Sequence, residues 1–270
     1  MRDITRVTVG RSLSRGRATW LALSAVMLGA MCTASWAAQS AGSDVLARSI
    51  ALYPTLKSYA DTGTVVIEGP GTVDRSKFKT YFRQGGSLDF FFEYQGVARE
   101  GAGGSLDMSF HRMVLWMLDG ELQTFNQQQR MHETIPRESG RQVAAIHGAS
   151  AATAGTSILI PSLIFSQAKL PGVIFQIQQP TDAGFETLNG RRCHKIIGMA
   201  GQYYPSGQMT NVRQVTVWID AESLLVRKVF EDTPKGYAIG SYLRTTVTIE
   251  PRANSKLDDS KFQFTVPLQQ

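Results

Sequence analysis

Between residues 78 and 94, charged and aromatic side chains alternate with a period of two, which constrains the fold more than any other feature of the sequence. A three-residue loop at positions 85–87 would pair opposite charges across one face of an antiparallel hairpin, namely Lys79 with Glu93 and Arg83 with Asp89. The other face would then collect Phe78, Phe82, Phe90, Phe92 and Tyr94. A two-residue loop would mix the two sets. The pattern therefore predicts a hairpin with one polar face and one aromatic face that another element must cover.

Further turn signals extend the strand pattern towards the carboxyl end. Asp119-Gly120 and Asn189-Gly190 are dipeptides suited to tight hairpin turns, and a third turn near residues 220–223 separates two apolar runs. The strand before Asp119 is apolar on both sides, with Val114, Trp116 and Leu118 on one face and Met113, Leu115 and Met117 on the other, which predicts a central strand. The short connections favour antiparallel neighbours, so the chain is predicted to be mainly β.

Two segments depart from this pattern. Ser43 can cap a short amphipathic helix over residues 44–52, which Pro54 ends or kinks. Between residues 139 and 177 the two-residue rhythm stops, and a short apolar run over residues 158–165 carries Pro161 in a position suited to a first helical turn. This run is either a helix packed on the sheet or a movable cover over an open sheet face, and periodicity does not decide between them.

The first 37 residues are interpreted as a secretory signal peptide. Five arginines precede an apolar stretch over residues 20–31 that is too short to span a bilayer, and Ser35 and Ala37 then provide the small residues that a signal peptidase needs. Cleavage after Ala37 would leave residues 38–270 as a single periplasmic domain. This segment holds most of the excess positive charge of the chain, whose formal net charge is +6, so we expect no nucleic-acid partner.

The two cysteines do not suggest a disulfide. Met31 stands where a lipoprotein signal requires a small residue before its cysteine, so lipidation of Cys32 is the minority interpretation. Once the signal peptide is removed, Cys193 is the one thiol left in an oxidising compartment. We interpret it as a small buried strand residue rather than a reactive nucleophile.

No pattern of catalytic or metal-binding residues stands out. His132-Glu133 lacks a second histidine four residues later, and there is neither a Gly-x-Ser-x-Gly elbow nor a phosphate-binding glycine loop. The histidines at positions 111, 132, 147 and 194 are scattered, and the adjacent carboxylates at 231–232 and 258–259 are interpreted as solvated surface. We therefore expect a protein that is not an enzyme and that uses no metal or cofactor.

Several patterns, taken in order, resemble the lipoprotein-localisation-factor superfamily of periplasmic lipoprotein carriers and related uncharacterised periplasmic families. They are an N-terminal helix leading to Leu56-Lys57-Ser58-Tyr59, then Leu118-Asp119-Gly120, the apolar run at 158–165, the stretch at 186–196, Val217-Trp218-Ile219-Asp220 and the carboxyl-terminal stretch at 256–267. The resemblance covers nearly the whole mature chain. It implies a strongly curved antiparallel sheet that forms an incomplete barrel closed by short helices, with an apolar cavity between them.

Such a cavity would be lined by the aromatic hairpin face and the apolar run, and its candidate ligand-binding residues are Phe82, Phe90, Phe92, Trp116, Leu163 and Phe165. The first hypothesis is a periplasmic carrier that holds a lipid, an acyl chain or a lipoprotein anchor. The alternative is a regulatory or assembly module of the cell envelope that binds a protein partner on the same fold. An enzyme would require the histidines and carboxylates to converge in the cavity.

Overall fold

The computed structural model describes residues 39, 41–85, 88–101, 112–118, 120–127, 130–136, 159–165, 172–203, 209–233 and 243–267. The chain divides into two units between Ala38 and Gln39, and all helices and strands of the described residues lie in the second unit. Helix α1 covers residues 41–52. The described residues also form three 3-10 helices: η1 (Tyr53–Thr55), η2 (Val173–Gln176) and η3 (Asp259–Phe262). A second short α-helix, α2, spans Leu159–Ile164.

Twelve strands make up most of the described chain. They are β1 (Ser58–Gly69), β2 (Thr72–Gln84), β3 (Leu88–Gly101), β4 (Arg112–Leu118), β5 (Glu121–Asn126), β6 (Met131–Ile135), β7 (Gln178–Leu188), β8 (Arg191–Tyr203), β9 (Met209–Asp220), β10 (Val226–Thr233), β11 (Leu243–Ile249) and β12 (Arg252–Ala253). They form one antiparallel sheet in the order β6-β5-β4-β3-β2-β1-β11-β10-β9-β8-β7, with β12 also paired to β1. The sheet is not closed into a barrel, since β6 and β7 lie at its two ends. The prediction of a mainly β, open antiparallel fold with few short helices is confirmed.

The predicted register of the first hairpin is confirmed residue by residue. Lys79 lies opposite Glu93 and Arg83 lies opposite Asp89 in the β2–β3 ladder. Both pairs form ion pairs, with 2.6 Å between Lys79 Nζ and Glu93 Oε2 and 2.7 Å between Arg83 Nη2 and Asp89 Oδ2. Opposite charges in contact on neighbouring strands therefore support the same register that the aromatic side requires.

The predicted central strand and the second tight turn are also confirmed. Strand β4 lies between β3 and β5, so both of its edges are paired. Leu188 pairs with Arg191 across a two-residue turn in which Asn189 and Gly190 have φ angles of 48° and 75°. Those left-handed values explain why the Asn-Gly dipeptide suits this turn.

Helices cover one face of the sheet, which we call the helix face and define by Phe82, Phe90 and Phe92. These rings belong to one continuous apolar core with side chains of α1, η1, α2 and η2. The N-terminal helix was expected over residues 44–52, and the structure extends it back to residue 41 and ends it at residue 52, before Pro54. The apolar run at 158–165 forms α2, with Pro161 inside it.

The opposite face, which we call the tail face and define by Phe91 and Trp116, corrects the expectation of a purely polar hairpin face. Tyr81 and Phe91 lie opposite each other between the two ion pairs. Phe91 is buried in a second apolar cluster that contains Phe262 and is flanked by Leu257, Phe264 and Val266. The chain end at residues 257–266, which we call the tail, therefore covers this side of the hairpin.

Arg83 fastens the tail to the hairpin. Its Nη1 donates to the carbonyl oxygen of Leu257 at 3.2 Å and lies 2.8 Å from Asp259 Oδ1. The guanidinium carbon also lies 4.8 Å from the ring centroid of Phe262, within reach of a cation–π interaction. Hydrogen bonds to Asp89 and Asp259 raise the pKa of Arg83, so the side chain stays charged and keeps both attachments.

Cys193 is a free, buried thiol on β8, as the strand pattern predicts. Burial raises its pKa, which disfavours the nucleophilic thiolate. Its structural interpretation as a small core residue is thus supported.

Candidate functional site

The candidate site is the aromatic surface of the helix face and the helix that lies on it. Phe82, Phe90 and Phe92 are at most 1% exposed. Leu163 of α2 is fully buried in the same core, and Phe165, just after α2, packs against it. The Phe90 and Phe165 rings meet edge to face with centroids 5.0 Å apart, a favourable geometry for two aromatic rings. The structure therefore brings five of the six predicted lining residues together.

Helix α2 is short, and five of its six residues are apolar. All six of its residues are buried, including Pro161 and Ser162. Phe165 donates its backbone N–H to the Pro161 carbonyl oxygen at 2.9 Å, which continues the helical hydrogen bonding past Ile164. A helix of this length has little stability of its own, so its position depends on packing against the sheet.

Trp116 is the predicted lining residue that the structure places elsewhere. It lies in the second cluster, on the tail face, with its ring 5.0 Å from that of Phe264 and stacked on His132 at 5.7 Å. Its strand neighbours Leu115 and Met117 point to the helix face instead. The prediction that Trp116 shares one lining with the other five residues is wrong, because adjacent strand residues point to opposite faces.

Helix α1 and η1 cover a neighbouring part of the helix face. Val45, Leu46 and Tyr53 are buried in the core. Ser49 Oγ donates to the Leu224 carbonyl oxygen at 2.8 Å, and the Val226 N–H donates to Tyr53 Oη at 2.9 Å. These bonds attach α1 and η1 to the connection between β9 and β10 and to the start of β10.

A buried carboxyl group lies beneath these helices. Asp61 is 3% exposed on the same strand face as Tyr59 and Val65. Tyr59 Oη donates to Asp61 Oδ2 at 2.9 Å, and the backbone N–H of Thr80 donates to Asp61 Oδ1 at 2.7 Å. The Tyr53 ring packs 5.6 Å from the Tyr59 ring. No arginine, lysine or histidine of the described residues forms an ion pair with Asp61.

Burial without a cation shifts the ionisation of this group. Desolvation raises the pKa of Asp61 from 3.8 to about 7, although the hydrogen bonds from Tyr59 and Thr80 act in the other direction. Desolvation and the nearby carboxyl also raise the pKa of Tyr59 well above its ordinary value. Near neutral pH the site therefore holds a substantial fraction of uncharged Asp61.

A second polar group on the helix face is an ion pair. Arg213 Nε donates to Glu231 Oε2, and Glu231 is only 6% exposed. Burial raises the pKa of Glu231 even though Arg213 lowers it. The expectation that residues 231–232 are solvated surface is therefore wrong for Glu231, since alternation from Val229 places it on the buried side of β10.

The two histidines that the structure describes do not converge. His132 lies on β6 at one edge of the sheet, and His194 lies on β8 next to the other edge, with its Nδ1 2.9 Å from Asp182 Oδ2. His111 and His147 lie outside the described residues. Within the described part of the chain, no group of three or more histidine, cysteine or acidic side chains could hold a metal ion.

Asp61 and Arg213 are the site residues that sequence reasoning missed. Both could have been found from strand alternation, since Asp61 falls in step with Tyr59 and Val65, and Arg213 falls in step with Val215 and Val217. A charged residue in phase with a buried apolar series is a signal in its own right.

No helix of the described residues is long and apolar enough to cross a membrane.

No protein-family model matches the chain. No curated protein matches it either. Among solved structures, the chain is similar to LprF from Mycobacterium bovis, with 12% identity, a TM-score of 0.43, and coverage of 85% of this chain and 97% of that one. It is similar to the MucA/MucB complex of Pseudomonas aeruginosa, with 12% identity, a TM-score of 0.39, and coverage of 84% and 61%. A LolA superfamily protein from Nitrosomonas europaea gives 10% identity, a TM-score of 0.30, and coverage of 83% and 97%. The strand order and register of this chain define its fold independently of these likenesses.

Proposed function

We propose that the chain is a binding or carrier protein of the cell envelope that holds an acyl chain, a lipid or a lipoprotein anchor against the helix face beneath α2. The observation that carries this proposal is the packing of a short, wholly buried helix, apolar except for Ser162, on a surface of buried phenylalanine rings. The proposed binding residues are Phe82, Phe90, Phe92, Leu163 and Phe165. Trp116 is left out because it lies on the tail face.

The physical basis of binding is the replacement of one apolar partner by another. An acyl chain that enters beneath α2 leaves water, which contributes about 0.8 kcal/mol per buried methylene. Moving α2 aside costs its packing on Phe90 and its neighbours, so the net affinity is the difference between the two. Release then needs only the return of α2 to the sheet, and the proposal requires no cofactor.

We further propose that the protein works in the periplasm after cleavage behind Ala37. The support is the arginine-rich start, the short apolar stretch and the small residues at positions 35 and 37. An amphipathic cargo that must cross an aqueous compartment would need such a carrier.

A protein partner is the second candidate function, favoured by the edge of the sheet at β7. This strand pairs only with β8 among the described strands, and Phe185 on it is 51% exposed. Arg192 lies 3.5 Å from the Phe185 ring centroid. An extended segment of a partner could add to this edge by backbone hydrogen bonds, with Phe185 as an apolar contact.

Shortening Phe165 to alanine tests the proposed cover. The substitution removes the edge-to-face contact with Phe90 that α2 regains when it returns to the sheet. Because that return expels the ligand, we expect a bound fluorescent fatty acid to dissociate about five- to tenfold more slowly. The measurement is stopped-flow displacement of the labelled fatty acid by an excess of unlabelled ligand.

The matched control is Phe264→Ala. Phe264 is also half-buried and also packs on aromatic rings, but it lies in the tail on the opposite face. Its dissociation rate should equal that of the unmodified protein. Equal rates for all three proteins would contradict the assignment of α2 as the cover.

A further inference from the structure

A polar pocket of about 480 Å³ lies away from the apolar site, at the end of the sheet where β8 begins and β11 ends. Positive charge distinguishes its lining, which includes Arg191, Arg227, Lys228 and Arg252 and a single acidic residue, Glu250. Lys228 pairs with Thr248, and Thr248 pairs with Thr64. Thr64 precedes Val65, which points to the helix face, so this row of residues points to the tail face. The pocket therefore opens on the side of the sheet opposite the proposed acyl site.

The four cations differ in how closely they pair with carboxylates. Arg227 Nε is held by Asp220 Oδ2 at 2.7 Å, and Arg191 lies 3.9 Å from Glu222 in a pair whose two members are both more than half exposed. Lys228 and Arg252 form no ion pair with the carboxylates that the structure describes. The pocket thus keeps two cations outside any ion pair and a third that is weakly held, while Lys228 also lies within electrostatic range of Glu186.

Packing holds Lys228 in place. Its Nζ lies 4.7 Å from the ring centroid of Trp218, and Lys195 approaches the same ring at 5.5 Å. Trp218 is only 5% exposed, so the ring is a fixed platform rather than a mobile surface group. A cation held on such a platform loses less conformational freedom when it binds an anion.

The chemistry of this group favours an oxyanion with several charged oxygens. Guanidinium groups offer paired N–H donors that match two oxygens of one phosphate, and an ammonium adds a compact charge beside them. The volume falls in the range of small-molecule sites. A second pocket of about 380 Å³ adjoins the first through Thr248 and Glu250 and adds Lys77 and the ion pair of Lys79 with Glu93.

We infer that the pocket lined by Arg191, Arg227, Lys228 and Arg252 binds a phosphate group, either free phosphate or the head group of an anionic phospholipid. This inference is independent of the proposed acyl site, since the two lie on opposite faces. Either one can fail while the other holds.

The test titrates the mature protein with inorganic phosphate and with glycerol 3-phosphate by calorimetry. A parallel arm measures cosedimentation with vesicles of phosphatidylcholine, alone or mixed with phosphatidylglycerol. We expect binding to the phosphate compounds, to the anionic vesicles or to both. The double variant Lys228→Gln, Arg252→Gln should weaken that binding about tenfold or more, since each substitution removes a charge-assisted contact.

The control is Arg75→Gln, which removes one exposed cation from a part of β2 outside both pockets. It should bind like the unmodified protein, whereas Arg252→Gln alone should already bind more weakly and leaves the contact of Lys228 with Trp218 intact. Binding of the soluble compounds alone assigns the site to free phosphate, and binding of anionic vesicles alone assigns it to a membrane head group. No binding in either arm, or binding that Arg252→Gln and Arg75→Gln weaken equally, would overturn the inference.

Discussion

The variant Asp61→Asn is expected to be more stable than the unmodified protein by about 4 kcal/mol at pH 8, and to lose the part of the pH dependence of stability between pH 4 and 7 that Asp61 contributes. The buried carboxyl has a pKa of about 7 in the folded protein, against 3.8 ordinarily. In that interval the folded protein keeps a proton that the unfolded chain has released. The contribution of Asp61 to stability therefore falls as pH rises, by up to about 1.4 kcal/mol per pH unit, and levels off above pH 7.

Asparagine can preserve the local hydrogen bonds. Its side-chain oxygen can accept from the Thr80 N–H, and its amide can donate to Tyr59 Oη, which then turns to act as acceptor. The measurement is urea unfolding at pH 4, 6 and 8. At pH 4 the two proteins should differ by less than about 1 kcal/mol, because Asp61 is uncharged in the folded state and only partly ionised in the unfolded state.

Asp89→Asn is the matched control for this substitution. Asp89 pairs with Arg83 on the tail face and is partly exposed. Its loss should cost at most about 1 kcal/mol and should not stabilise the protein at high pH. A destabilised Asp61→Asn at pH 8 would show that Asp61 is charged and favourably paired in the folded protein.

The affinity for saturated fatty acids is expected to rise steeply with chain length. As long as the fatty acid stays below its critical micelle concentration, each added methylene should tighten binding about fourfold. This factor follows from about 0.8 kcal/mol per buried methylene. From eight to fourteen carbons the affinity should therefore increase about a thousandfold or more, until the chain exceeds the space beneath α2. The measurement is displacement of a fluorescent fatty acid.

The variant Leu163→Asp tests whether this dependence on chain length arises beneath α2. Leu163 belongs to α2 and is fully buried in the core that contains the aromatic surface, so a carboxylate there opposes both the closure of the cover and the entry of an acyl chain. Its slope with chain length should be much smaller, provided that circular dichroism shows an intact sheet. An affinity of the unmodified protein that does not change with chain length would exclude an acyl site beneath α2.

The register of the first hairpin could be predicted from the sequence alone. Only one loop length pairs both sets of opposite charges, so the register of β2 against β3 follows from local spacing, and the structure has that register. Strand β4 is different, because residues 102–111 separate it from β3 and no turn geometry fixes its alignment. The structure pairs Trp116 with Phe91 and Leu115 with Phe92, which sends Trp116 to the tail face.

The cover of the tail face could not be predicted because it depends on contacts distant in sequence. Arg83 meets Leu257 and Asp259 across more than 170 residues, and no local period announces such a contact. The short helix at 159–164 and the free, buried Cys193 followed from apolar spacing and strand context. Asp61 escaped notice because only its phase relative to Tyr59 and Val65 marks it as buried.

Native mass spectrometry of the mature protein tests the central claim most directly. The protein would be purified from the periplasm without detergent, and organic extraction would identify any bound lipid. The carrier proposal predicts that the folded protein carries one stoichiometric lipid, which organic extraction then releases. A folded protein with the mass of the polypeptide alone, which also fails to take up added fatty acid, would contradict it and favour a protein partner at the β7 edge.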